Sequence, residues 1–134
     1  MKFFFDNCVS PSIVQILREL KEDKDHTIVH LRERFDPDTP DREWIEELAS
    51  EGDWIIISND SRIRKSPHTK EIWRRSGLTG FYLTSQFSNA PLRDQAMRIL
   101  ERWPEIVKQA SRAVPGTAFE VGFGKNRKKF KELR

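Results

Sequence analysis

The sequence predicts an α/β protein of three layers, α/β/α, built on a mainly parallel central sheet of four to five strands. Short runs of aromatic and β-branched residues alternate with stretches of helical apolar periodicity, the pattern of right-handed βαβ units. Trp54-Ile55-Ile56-Ile57 is a continuous apolar run that ends in Ser58-Asn59-Asp60, as expected of a strand buried on both faces. The length of 134 residues suits one domain with a sizeable core.

Lys2-Phe3-Phe4-Phe5 reads as the first strand, closed by Asp6-Asn7-Cys8. Ser10-Pro11 opens a helix, Ser as the cap and Pro at the first helical position. Its apolar stripe is Ile13, Ile16, Leu17 and Leu20. Thr27 to Leu31 is the second strand, and Arg32 to Asp38 a charged connection. Thr39-Pro40 opens the second helix, with Trp44, Ile45, Leu48 and Ala49 inward and Gly52 as the stop. After the Trp54–Ser58 strand, Ser66-Pro67 starts a short helix carrying Ile72 and Trp73 and closing near Gly77. Gly80 to Leu83 is the fourth strand. A longer helix begins near Pro91 and carries Leu92, Ala96, Ile99, Leu100 and Trp103; Pro104 either kinks it or starts another. Phe119, Val121 and Phe123 alternate with Glu120 and Gly122, which predicts a half-exposed strand at the sheet edge. The domain is expected over 1–124. Residues 125–134, with six Lys/Arg and one Glu, read as a basic, solvated C-terminal tail.

No run approaches the roughly 20 apolar residues of a membrane span. Only three Phe separate Lys2 from Asp6, which argues against a signal peptide. A single cysteine, Cys8, permits no internal disulfide and no cysteine-based metal cluster. These features predict a soluble, cytoplasmic protein that does not enter membranes. The net charge of +3 conceals an asymmetry: residues 1–60 hold 7 Lys/Arg against 15 Asp/Glu, and residues 61–134 hold 17 against 6. A cation-binding edge beside a basic surface suits a polyanionic substrate; unevenly spread solvated charge is the plainer reading.

The expected topology gives the acidic residues a chemical meaning. In a parallel sheet the carboxyl ends of the strands and the amino ends of the following helices share one rim. Asp6 ends strand one, Asp41 lies in the first turn of helix two, and Asp60 follows strand three. Three carboxylates gathered on one rim call for a cation, and hard oxygen ligands suit Mg²⁺ or Mn²⁺. Each residue also has a local reading: Asp6 caps a turn, Asp41 complements a helix dipole, and Asn59-Asp60 makes a turn. His26, His30 and His68 form no motif. Cys8 reads as a small buried residue.

Three stretches carry a resemblance. They are Phe5-Asp6-Asn7 with Ser10-Pro11; His30-Leu31-Arg32-Glu33-Arg34-Phe35 with Thr39-Pro40-Asp41-Arg42-Glu43-Trp44; and Ile57-Ser58-Asn59-Asp60 with Arg62-Ile63-Arg64. Together they resemble the PIN-like domains, closest to the small branch related to VapC-type toxins, over residues 2–84. The resemblance implies a compact α/β/α fold and a Mg²⁺- or Mn²⁺-dependent endoribonuclease, often the toxin of a toxin–antitoxin pair. Asp6, Asp41 and Asp60 match the family's metal-binding acids, and Ser58 matches its Ser/Thr two residues before the third acid. Single-stranded RNA, an antitoxin protein and a second copy in a homodimer are the partners implied. Arg62, Arg64 and Lys65 follow Asp60 and are placed to hold flanking phosphates.

PIN domains often carry a further acid after the third; this chain has Ser61 and Arg62 there, with Glu71 on the next helix. That departure keeps a second reading open: a weakened PIN-like domain that binds RNA or a protein without cleaving. A phosphoacceptor domain would also place aspartates after strands one and three, but it pairs two acids at strand one and uses a later lysine. Here Asp6 is single and Leu83-Thr84-Ser85-Gln86 offers no lysine.

Overall fold

The computed structural model describes residues 1–20, 25–59, 67–124 and 130–133. Its centre is a six-stranded sheet in the order β2-β1-β3-β4-β5-β6. The strands are β1 (Lys2–Phe5), β2 (Thr27–His30), β3 (Trp54–Ser58), β4 (Thr79–Leu83), β5 (Ala118–Val121) and β6 (Lys131–Leu133). The first five run parallel, and β6 pairs antiparallel with β5. The helices are α1 (Pro11–Leu20), α2 (Asp41–Glu51), α3 (Pro67–Ser76), α4 (Ser85–Asn89) and α5 (Leu92–Arg112).

β1 and β3 lie in the interior of the sheet, so both faces of each are covered. Side chains alternate across a strand, and the two cores sort accordingly. Phe3, Phe5, Ile55 and Ile57 join Ile13, Val14 and Leu17 of α1 and Ile99, Trp103 and Ile106 of α5. Phe4, Trp54 and Ile56 join Trp44, Ile45 and Leu48 of α2 and Trp73 of α3 on the opposite face. Phe4 stacks on Trp44 at 5.3 Å between ring centroids, and Phe3 meets Trp103 at 4.7 Å. Each such aromatic contributes on the order of 1.5–3 kcal/mol through burial.

α1 and α5 therefore share one face, α2 and α3 the other. The crossovers β1-α1-β2, β2-α2-β3 and β3-α3-β4 have one hand. The crossover from β4 to β5 runs in the same direction along the sheet as β3 to β4 but over the opposite face, so its hand is reversed. The connection between β4 and β5 contains two helices, α4 and α5.

Several sequence expectations need correction. The inward stripe of α1 is Ile13, Val14 and Leu17, whereas Ile16 and Leu20 are exposed. Asp41, not Pro40, is the first residue of α2, and Thr39 provides no cap. Pro104 neither splits nor ends α5, which is one helix of 21 residues. α4 was not anticipated, and it buries Phe87. β5 is not the edge strand: it pairs with β4 on one side and with β6 on the other. Lys131–Leu133, assigned above to a solvated tail beyond the domain, forms that sixth strand. Among the described residues, no helix is long and apolar enough to cross a membrane.

The β2 edge is closed by side chains. Thr27 N–H bonds back to Met1 O at 2.9 Å, so Ile28 and His30 turn their backbone groups outward. Arg18 of α1 donates to Ile28 O at 3.1 Å and to both Glu33 carboxylate oxygens at 2.9 Å. Glu33 Oε1 in turn accepts the His30 N–H at 2.8 Å.

Candidate functional site

The chain leaves β1 toward β2 on one side and returns to β3 on the other. Beyond the carboxyl ends of β1 and β3 this reversal opens the crevice where open α/β sheets bind ligands. Asp6 follows β1 directly, and Ser58 is the last residue of β3. The Asp6 N–H extends the ladder to Ile57 O at 2.9 Å, which fixes the carboxylate's root to the sheet.

The Asp6 side chain is 4% exposed and Ser58 is fully buried. Ser58 Oγ donates to Asp6 Oδ2 at 2.8 Å, and the Asn7 N–H donates to Oδ1 at 2.6 Å. Cys8 stands in the same cluster: its Sγ is 3.7 Å from Asp6 Oδ2 and 3.7 Å from Ser58 Oγ, and it accepts the Asn59 N–H at 3.2 Å. Cys8, in the β1–α1 turn, is exposed, contrary to the buried residue expected.

Asp41 opens α2, whose amino end reaches the same rim, but its role is partly local: Oδ1 accepts the Trp44 Nε1–H at 3.1 Å. Asp60, Arg62, Arg64 and Lys65, and with them Ser61, lie outside the described residues. Among the described residues no three His, Cys, Asp or Glu side chains converge as a ligand group. Of the residues picked from the sequence, the structure brings Asp6 and Ser58 into contact and places Asp41 on their rim.

The turn around Asp6 is held by a second element that the sequence reading treated as a bare charged connection. His30 is buried, and its Nε2 is 2.6 Å from Val9 O while its Nδ1 accepts the Arg32 N–H at 3.1 Å. An Nδ1 that accepts requires the neutral tautomer with the proton on Nε2, which donates to Val9 O. Burial pushes the imidazole below its ordinary range, more than the Val9 hydrogen bond raises it. Leu31–Glu33 forms a 3-10 turn, from which Arg32 Nε donates to Asn7 Oδ1 at 2.7 Å. Asn7 Nδ2 donates to Pro37 O at 3.1 Å. The β1–α1 turn is thereby tied at Asn7 and Val9 to the segment that leads into α2. The sequence signals for this were a polar Asn beside Asp6 and a histidine inside the second strand.

These features define a class: a doubly wound α/β domain with a buried carboxylate at its topological switch point. A family model described as a PIN-like domain matches residues 1–85, the span from β1 through β4 and both ends of the crevice. The chain belongs to the PIN-like domain family. No curated protein and no solved structure matches it.

Proposed function

We propose that the chain is a divalent-cation-dependent endoribonuclease of the PIN-like type, acting in the cytoplasm as the toxin of a toxin–antitoxin pair. The observation that supports this most is the Asp6 carboxylate, buried at the end of β1 and oriented by Ser58 Oγ and the Asn7 N–H. In a PIN-like domain that position is an acid for metal. The donor set is oxygen-rich, which fits Mg²⁺ or Mn²⁺ in kind. Asp6 and Asp60, with Asp41, would hold the cation, which when bound acidifies water and polarises a phosphodiester. Ser58 keeps the Asp6 carboxylate in one orientation, and Asn7 prevents its rotation through Oδ1. Arg62, Arg64 and Lys65 would hold flanking phosphates of single-stranded RNA, so binding falls log-linearly with salt.

A second reading, RNA or protein binding without cleavage, is favoured by two observations. The Asp41 carboxylate is engaged by Trp44 of its own helix, and Arg62 stands where a further acid is often found. Cleavage of a mixed single-stranded RNA pool in Mg²⁺, Mn²⁺ or EDTA, wild type beside Asp60→Asn and Asp6→Asn, separates the two. Metal-dependent cutting by wild type that both variants lose is the expected result. Folded wild type that cuts under no metal refutes the nuclease reading and leaves the binding one.

A further inference from the structure

The arginines of this protein differ in what occupies their guanidinium groups. Arg18, Arg34, Arg42, Arg75 and Arg98 each pair with a carboxylate. Arg32 does not: among the described residues its side chain bonds only a neutral amide, Asn7 Oδ1, through Nε at 2.7 Å. Its main chain is fixed as well, by the N–H donated to His30 Nδ1. The two terminal nitrogens, with four N–H donors, remain for another acceptor on an exposed residue. Asn7, which holds the guanidinium, adjoins Asp6 and contributes its own N–H to the Asp6 carboxylate.

The geometry points to Arg32 as a phosphate-binding residue of the active site, its fork presented by Asn7 to a backbone phosphate of the RNA strand. This inference rests on the nuclease reading above and gives the polyanionic substrate a contact on the β2 side of Asp6. An anchored guanidinium loses little freedom when it binds, and its planar fork matches two phosphate oxygens. The carboxylates that pair with Arg18, Arg34, Arg42, Arg75 and Arg98 would abolish this capacity. Asn7 orients Arg32 without neutralising it. The Asn7 bond to Pro37 O holds the amide so that its oxygen, not its nitrogen, faces the arginine.

The test is fluorescence-anisotropy binding of labelled oligo(A) and oligo(U) in EDTA, from low to moderate salt, with parallel cleavage of the RNA pool in Mn²⁺. Wild type is compared with Arg32→Gln and Arg32→Lys, each checked for folding by thermal melt. Arg32→Gln should weaken binding about tenfold on both oligonucleotides and lower the salt slope by about one. Arg32→Lys should retain the salt slope while losing affinity, because an ammonium cannot hold Asn7 and present a fork together. Wild type that binds and cleaves, with Arg32→Gln unchanged in affinity and slope, overturns this inference alone. A loss confined to one base sequence also overturns it, since phosphate contacts carry no sequence information. Wild type that neither binds nor cleaves overturns the nuclease reading, and this inference with it.

Discussion

Replacing Ser58 by alanine removes one oxygen from a fully buried position and one donor from the Asp6 carboxylate. The volume lost is small, so the cost is that of the bond. A hydrogen bond to a charged acceptor contributes about 1.5–3 kcal/mol, against 0.5–1.5 for a neutral pair. With Asn7 still donating to Oδ1, about 2 kcal/mol is expected. For 134 residues, unfolding entropy near the midpoint is roughly 0.28 kcal/mol/K, so 2 kcal/mol lowers Tm by about 7 °C. Urea unfolding of wild type, Ser58→Ala, Asp6→Asn and the double variant closes a thermodynamic cycle. In the Asp6→Asn background the alanine substitution should cost about 1 kcal/mol less, because the acceptor no longer carries charge. Equal costs in both backgrounds would refute the claim that Ser58 acts on the carboxylate and would leave it a packing residue of β3.

Three further outcomes follow from the geometry. A Cβ at Gly80 would stand 2.5 Å from Trp73 Cζ2 and 3.0 Å from its Cη2, so Gly80→Ala should destabilise by about 1–3 kcal/mol through overpacking; an unchanged urea midpoint would show that the indole moves freely. Glu51 is bound by Arg34 and then by Trp54 Nε1, and its carboxyl is held down at about 2. A lowered folded pKa gives stability that is present above the ordinary value of 4.5 and lost as pH falls toward about 2. Carbon-detected NMR titration should show that range, and Arg34→Gln should move Glu51 back up. His30 is also lowered by burial: above pH 6.5 neither state is protonated there, and below it the unfolded chain takes up the proton first. Stability should fall as pH drops below 6.5 toward the folded value, with the His30 ring resonance unmoved at pH 6.5; titration at or above 6.5 would contradict the buried neutral tautomer.

The central strands were legible because each is covered on both faces and its residues are apolar without interruption. Asp6 and Ser58 were legible for the same reason, since a polar residue closing such a strand stands out. The face of α1 was not. Ile13, Ile16, Leu17 and Leu20 satisfy helical periodicity, yet the sheet selects the arc through Val14. β6 was hidden because three residues, two of them charged, are held by backbone bonds to β5 and not by any apolar pattern. α4 was hidden because Phe87 is its single buried anchor. The ties among Asn7, Arg32 and Pro37, and between Cys8 and Ser58, join residues 25 to 50 positions apart, which periodicity cannot register.

The Arg18–Glu33 pair occupies backbone groups that another strand would need. At the far side of the sheet, β6 offers only three residues, with Lys131 and Glu132 among them. Both borders are thus poor templates for strand addition. Among the described residues, then, neither border offers a long free ladder on which other copies could stack. The sheet's exposed borders therefore leave little backbone for another strand to pair with.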